Sequence, residues 1–494
     1  MNRRKFLHNQ SKLYLSAMLR SVLKYSLALW LGVSCVSGYA QTDPWGQLDG
    51  IMAKIKKPTF AKRLFFVSNY GADATGKKDC SAAIKAAIEA CHKAGGGKVV
   101  VAAGKYLTGP VYLKSNVNLH LEKGATLLFS TKPDDYLPLV PTRWEGVELM
   151  NYSPLVYAYK EKNIAITGEG VLDGQATAQN WWPWKGKKEY GFKTGSPSQV
   201  DKANRPALFA LAEKDVPMAE RKFGNGHYLR PQFVQPYLCN NVLIEGVRII
   251  NSPMWILNPV LCNNVTINKV TVESEGPNTD GCDPESCKNV LIKDCYFNTG
   301  DDCIALKSGR NRDGRRINIP CENIVIQGCT MANGHGGVVI GSEISGGAKN
   351  IFAENCTMNS PELDRALRIK TSSARGGIIE NIYLRNIKVG QVKQESILIT
   401  MFYEDTGNYM PLIRNIEVSN MQVQNGGNTG VVVEGYKQQP VQNLRLNNVS
   451  INNVKKAYNI ANLTGLQLKG VTVNGEPLKT EQVKVTDTEK NLHW

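Results

Sequence analysis

The sequence predicts an all-β protein: a parallel β-helix, a solenoid of stacked coils with a capping helix at its N-terminal end. Two observations carry this. From Asn241 onward an asparagine-led apolar signature recurs every 22–34 residues. Within each repeat the apolar residues fall at offsets +1 and +3, then at +6 and +8, which is two short strands with the side-chain alternation reset by a bend. A third observation concerns function. Four short polar motifs are spaced by about the same period, so that they stack on neighbouring coils.

Residues 1–40 stand apart. Arg3, Arg4, Lys5, Lys12, Arg20 and Lys24 precede an apolar run from Ser26 to Val36, and Gly38-Tyr39-Ala40 offers a small-x-small cleavage site. That order reads as a secretory signal, and the run is too short to span a bilayer comfortably. Arg3-Arg4-Lys5-Phe6-Leu7 resembles a twin-arginine export motif, while Gly32-Val33-Ser34 before Cys35 makes a poor lipid-attachment site. A periplasmic or extracellular location is expected, with no stable membrane span. Without this segment's six cations the formal charge of +16 becomes +10. A basic exported protein without a dense Lys/Arg run points to an acidic polymer rather than to nucleic acid.

Residues 41–63 read as an extension and 64–494 as a single β-helix domain. In its first part, Asp79 is a plausible N-cap for a helix with Ile84, Ile88 and Cys91 on its apolar face, stopped by Gly95-Gly96-Gly97. A solenoid needs its first strand edge covered, and this helix is the candidate. Cys80 and Cys91 are 11 residues apart, about 16 Å along a helix, too far for a disulfide.

The repeat itself is anchored at Asn116, Asn163, Asn241, Asn264, Asn289, Asn323, Asn350, Asn381, Asn415 and Asn443, with Gly465 in the last equivalent place. Offset +3 carries Ile244, Ile267, Ile292, Ile326, Ala353, Leu384, Val418, Leu446 and Leu468; offset +8 carries Ile249, Val272, Phe297, Met331, Met358, Val389, Val423, Ile451 and Val473. The leucine-rich repeat, the nearest rival, needs a Leu-x-x-Leu-x-Leu frame that is absent. Cys239, Cys262, Cys287 and Cys321 lie two residues before their anchors, and Cys295, Cys329 and Cys356 lie at offset +6. Such positions predict buried thiols packed as small hydrophobes rather than disulfides or metal ligands. Residues 175–240 interrupt the repeat with Trp181, Trp182, Trp184, Tyr190 and Phe192; this is either a loop with its own small core or a wall of a cleft whose aromatic faces meet sugars.

The motifs are Asn278-Thr279-Asp280-Gly281, Gly300-Asp301-Asp302, Gly334-His335-Gly336 and Arg368-Ile369-Lys370. Each alone is an ordinary turn or surface stretch. Asp280 to Asp302 is 22 residues, Asp302 to His335 is 33 and His335 to Arg368 is 33, and all four follow the two signature strands of their coils. At about 4.8 Å per rung, four rungs gather three carboxylates, an imidazole and two cations within roughly 15 Å. Crowded carboxylates cannot all ionise, so one is kept as an acid while another acts as base, the pair that glycosidic hydrolysis needs. Arg368 and Lys370, two apart on a strand, face the same way and suit a carboxylate. With the positive net charge, this indicates a polyuronic acid as substrate.

Together, in this order on a β-helix, the four motifs resemble glycoside hydrolase family 28, the polygalacturonases. The likeness runs from about residue 64 to the C-terminus and includes Asn69-Tyr70-Gly71-Ala72 and Gly124-Ala125-Thr126-Leu127. It implies a right-handed β-helix and an inverting hydrolase of α-1,4-linked galacturonic acid, without metal or other cofactor; a monomer is expected. Carried onto this chain, it implies Asp301 as general acid, Asp280 and Asp302 as the pair that positions and deprotonates water, and His335 as the group that holds the acid in its working state. Arg368 and Lys370 would bind the uronate carboxylate, Asn278 would contact substrate, and Tyr403 would be the family's downstream tyrosine. Gly300-Asp301-Asp302-Cys303-Ile304-Ala305-Leu306-Lys307-Ser308-Gly309 is similar to the exo-acting bacterial members. One expectation runs against the resemblance. Stacked rungs bring carboxylates closer than the roughly 6.5–9.5 Å usual for inversion.

Rival readings are a rhamnogalacturonan or xylogalacturonan hydrolase of the same family, a pectate lyase working with calcium and a basic residue, and a non-catalytic polysaccharide-binding β-helix. Clustered carboxylates disfavour the last, since they repel an acidic ligand.

Overall fold

The computed structural model describes residues 43–487. The export segment and Cys35 lie outside the described residues. Two units are distinguished: residues up to Gln47, whose described part includes the 3-10 turn Pro44–Gln47, and the body of the chain from Leu48 onward.

In the body, strands stack in parallel from coil to coil, forming a 25-stranded sheet and a six-stranded sheet. The first strands of successive coils are Asn240–Glu245, Asn263–Asn268, Lys288–Lys293, Cys321–Gln327 and Ala348–Glu354. Their register is the one that the offsets predict. Ile244 pairs with Ile267, Ile267 with Ile292, Ile292 with Ile326 and Ile326 with Ala353, and the column continues through Leu384, Val418 and Leu446 to Leu468. The +8 column, Ile249 to Val473, is equally continuous. In three later coils the two strands run on as one, Ile378–Gln391, Leu412–Asn425 and Val441–Ile451. These columns are buried in one continuous apolar core, with Leu468 half-buried against its end.

The anchor asparagines are periodic for two reasons. Each sits at positive φ, from 52° at Asn163 to 66° at Asn116, a conformation that Asn tolerates better than most residues. Gly465, which replaces Asn in the last coil, has φ 71°. Their amides also bond one another up the stack: Asn323 Nδ2 donates to Asn289 Oδ1 at 3.0 Å, Asn350 to Asn323 at 3.2 Å and Asn415 to Asn381 at 3.1 Å. The column has one break. Asn264 exchanges two 2.8 Å bonds with the backbone of Lys56, and Asn289 reaches Asn263 instead. The stretch around Lys56 therefore lies against the coils.

The capping helix spans Ser81–Lys93 and buries Ile84, Ile88 and Cys91 in the main core. Its N-cap residue is Cys80, not Asp79. Asp79 lies one position earlier, where its Oδ1 accepts the Ser81 N–H at 2.9 Å. All eleven described cysteines are free and buried, and most direct Sγ at a backbone carbonyl of their own or a neighbouring coil, as Cys287 does at Pro259 O, 3.1 Å away, and Cys303 at Asn333 O, 3.2 Å away.

The interruption of the repeat is both smaller and larger than the sequence suggests. Val234–Tyr237 is already a coil strand, paired with Val156–Tyr159, so the insertion ends before residue 234. It has an unpredicted companion, the antiparallel hairpin Val140–Trp144 and Val147–Asn151. Trp144, Val147 and Leu149 from the hairpin join Leu208 and Ala212 of the helix Arg205–Glu213, with Phe223, Leu229, Met254 and Trp255, in a second small core.

Candidate active site

Third-side strands Ile304–Leu306, Val338–Ile340 and Leu367–Lys370 belong to the six-stranded sheet, with Ile304 opposite Val338 and Val339 opposite Arg368. The turns just before them are neighbours as well. Gly281 N–H donates to Asp302 O at 2.9 Å, Cys303 N–H to Gly336 O at 2.8 Å and Gly337 N–H to Arg365 O at 2.9 Å. Four motifs separated in sequence thus meet on four consecutive rungs. Glycine is needed where the turns touch: a Cβ on Gly300 would lie 2.2 Å from the Gly276 carbonyl oxygen.

One oxygen from each of Asp280, Asp301 and Asp302 lies within 4.8 Å of one from the other two. Their surroundings differ. Asp302 is fully buried, with Lys370 Nζ at 2.7 Å and Arg368 Nη1 at 3.3 Å. Burial pushes its carboxyl up, but Lys370 and then Arg368 outweigh this and hold it below the ordinary value. Asp301 is partly exposed and its Oδ1 faces His335 Nδ1 at 3.0 Å. Burial again works upward, and the His335 hydrogen bond and charge, with Lys370 and Lys307, hold Asp301 well below the carboxylate range. The same bond raises His335 to about 9. Asp280 goes the other way: burial and the Asp301 charge hold its carboxyl well above 3.8 against the pull of Lys307. The surroundings thus favour the ionised form of Asp301 and Asp302, the protonated form of His335 and the neutral form of Asp280.

Each residue that the sequence singled out lies here. Arg368 and Lys370 project together, though they are buried and the partner of both is Asp302. Tyr403 has its ring 5.4 Å from the Arg368 guanidinium and 5.0 Å from Lys370 Nζ. Asn278, at φ 54°, turns its Oδ1 to Lys185 Nζ at 2.7 Å and Arg230 Nη2 at 2.9 Å.

Several participants were not foreseen. Lys307 is buried, with Nζ 3.2 Å from Glu343, 3.6 Å from Asp280 and 3.8 Å from Asp283, and 4.8 Å from the Trp255 ring centre. Its signal was a lysine closing the apolar run Ile304-Ala305-Leu306. Arg310 joins Glu343 at 3.0 Å and Glu404 at 2.9 Å. Lys185 and Arg230 come from the insertion, for which the sequence left open a small core of its own or an aromatic wall. Trp181 is buried and packs edge-on against Tyr136 and Trp184, while Trp182 lies on Gly276 and donates Nε1–H to Ser252 O at 3.0 Å. The insertion has its own packing and also walls the site, but with polar side chains.

By spacing, the three carboxylates could hold a cation; Lys307, Lys370 and Arg368 supply counter-charge in that position. A separate cleft of about 950 Å³, lined by Ile84, Ile88, Leu107, Val111, Leu137 and Val140 among others, shares no lining residue with the acidic site. Among the described residues no helix is long and apolar enough to cross a membrane.

A right-handed parallel β-helix bearing three crowded carboxylates, one on an imidazole and one on two cations, defines a carbohydrate-cleaving enzyme of the acid–base type. The chain belongs to glycosyl hydrolases family 28, whose model matches residues 217–473, and it is a glycoside hydrolase. It is similar to the structure of a hyperthermoactive exopolygalacturonase from Thermotoga maritima, 45% identical, with a TM-score of 0.85 over 87% of this chain and 96% of that one. An exo-poly-alpha-D-galacturonosidase from Dickeya chrysanthemi is 26% identical over 435 residues, 79% of this chain and 69% of its own length. An endo-polygalacturonase from Pectobacterium carotovorum subsp. carotovorum is 26% identical over 410 residues, 80% of this chain and 89% of its own.

Proposed function

We propose that this protein is an exo-acting polygalacturonase that hydrolyses α-1,4-galacturonosyl links of polygalacturonate with inversion, outside the cytoplasm, with residues 64–494 as one catalytic domain. The observation that carries the reading is the Asp301–His335 pair beside two further carboxylates, within a cationic surround suited to a uronate. The 45% identical neighbour bearing the name exopolygalacturonase supports the exo mode over the endo mode of the more distant relative.

In this reading Asp301 is the general acid. In the unliganded site its proton resides on His335. A bound uronate adds negative charge beside the pair and favours transfer of that proton to Asp301. Asp301 then protonates the glycosidic oxygen as the C1–O bond breaks. Water adds to C1 from the opposite face, oriented by Asp280 and Asp302. Asp302, held ionised by Lys370 and Arg368, accepts the proton that the water loses. Arg368 keeps a buried Nε without a protein partner and, with Lys370 and Tyr403, meets the substrate carboxylate; Asn278 contacts the sugar on the other side.

Product analysis on de-esterified polygalacturonate, with Asp301→Asn in parallel, tests this. Saturated monomer accumulating from the start, absent in the variant and unaffected by chelator, is the expected result. Mixed oligomers would sink the exo mode, and unsaturated, ultraviolet-absorbing products that vanish with chelator would replace hydrolysis by a lyase reaction.

A further inference from the structure

The insertion reaches Asn278 through two cations, Lys185 and Arg230, of which Lys185 is the half-exposed one. Lys185 follows Trp184 in the short 3-10 turn Trp182–Lys185, and that turn is seated by the Trp182 ring on Gly276, where a Cβ would lie 2.4 Å from the indole. Its Nζ donates to Asn278 Oδ1 at 2.7 Å. An ammonium has three donors, so two remain for a ligand. Arg230 is fully buried behind it. Its Nη1 donates to Pro253 O at 2.8 Å and Pro277 O at 2.6 Å and its Nη2 to Gln199 Oε1 at 3.0 Å and the same Asn278 Oδ1 at 2.9 Å, while its buried Nε has no partner. Two cations thus converge on one neutral amide oxygen. The nearby acid, Glu145, is taken up by Arg205 at 2.7 Å and Arg310 at 3.9 Å. Burial lowers Lys185 from its ordinary value and Arg230 adds to this, while Glu145 and Asp301 oppose it. Both acids that act on Lys185 are engaged elsewhere, Glu145 with the two arginines and Asp301 with His335, and among the described residues neither forms an ion pair with it.

Its place along the coil axis says which anion fits. Asn278 is two residues before Asp280, on the N-terminal side of the carboxylates, whereas Arg368, Lys370 and Tyr403 come from three and four coils further on. At about 4.8 Å per rung, the two cationic groups start from positions some 14 Å or more apart on either side of the reacting centre. A polyuronate lying along the axis would present one carboxylate to each. Lys185 also lies outside residues 217–473, so the family match does not account for it.

We propose that Lys185, steadied by Asn278 and backed by Arg230, closes one end of the cleft and binds the carboxylate of the chain-terminal uronate that is released. The inference rests on the exo-polygalacturonase reading and adds the group that makes a terminal uronate, rather than a neutral sugar, the preferred occupant.

The test compares trigalacturonate with its analogue methyl-esterified on the residue that is released, for wild type, Lys185→Met and Lys185→Arg. Lys185 is half-buried on the insertion, so these variants leave the coil core untouched. Wild type is expected to prefer the free acid. Lys185→Met should lose about 10- to 100-fold in kcat/KM on the acid, the range for a charge-assisted hydrogen bond, and stay near wild type on the ester. Lys185→Arg should recover most of the preference. An unchanged acid-to-ester ratio in Lys185→Met, or an equal loss on both substrates, overturns the proposal. Failure of the underlying reading shows separately, in wild type alone, as mixed oligomers or no cleavage of polygalacturonate.

Discussion

His335 Nδ1 stands 3.0 Å from Asp301 Oδ1 across 34 residues of sequence, and the two set one another's charge: the imidazole is raised to about 9 and the carboxyl is held far below its usual range. Proton supply to the glycosidic oxygen should therefore persist through neutral pH and fail as pH rises through about 9. In His335→Gln, burial, Lys370 and Lys307 act on Asp301 without the imidazole, so the limb near pH 9 should disappear and kcat fall by about 10²–10⁴, the usual range for acid–base catalysis. The stability signature has a defined sign. A His raised in the folded state stabilises fully below about pH 6.5 and loses this as pH rises through about 9; the depressed Asp301 stabilises above about pH 4 and loses this on acidification. The melting-temperature gap between wild type and His335→Gln should be widest near pH 5–6 and close above pH 9. A gap independent of pH would contradict the pairing.

Asp302 is buried against Lys370 and Arg368, so removing one cation strands much of its charge. Lys370→Met is expected to cost about 3–5 kcal/mol, read as a fall in melting temperature. Asp302→Asn combined with Lys370→Met should recover part of that loss, since Asp302 no longer carries a stranded charge, although Arg368 then loses its own ion-pair partner. Additive losses in the double variant would show that the two side chains act independently.

Gly276 is where the insertion rests, through Trp182. Gly276→Ala would displace the indole and the turn that carries Lys185. Expected are a raised KM and some release of oligomers longer than monomer, with the core's melting temperature lowered only slightly. Monomer as the continuing single product would mean that the insertion does not close the cleft.

Carboxylate oxygens within 4.8 Å of one another are nearer than is usual for inversion. Inversion is nonetheless expected, because the water is shared by Asp280 and Asp302 rather than held by one opposing carboxylate. Proton NMR of the first product formed distinguishes the anomers, and initial release of the α-anomer would establish retention.

The coil stack was legible because its causes are local and repeated. A left-handed turn selects Asn, the amides pair upward, and a buried column selects Ile, Val, Leu or Cys at a fixed offset. The site was legible for the same reason, since its four motifs ride on that period; even Tyr403, chosen from a short Met-Phe-Tyr run, lies over Arg368 and Lys370. What escaped is what leaves the period. Lys185, Arg230 and the hairpin Val140–Asn151 belong to excursions whose path no repeat dictates. Lys307 and Glu343 are charges in a buried place, and a sequence does not announce which distant partner neutralises them. Asp79 was misplaced by one residue because its carboxylate does reach the first helical N–H, from a position just ahead of the cap.

The asparagine column also bears on how the molecule comes apart. Each coil is tied chiefly to its two neighbours, so opening should begin at the termini of the stack and travel inward, one rung at a time. Asp280 through Lys370 lie well inside it, with coils on both sides. Amide exchange should therefore be slowest through the rungs that carry the chemistry, and trimming the last coil should shorten the protein's survival in heat before it touches turnover.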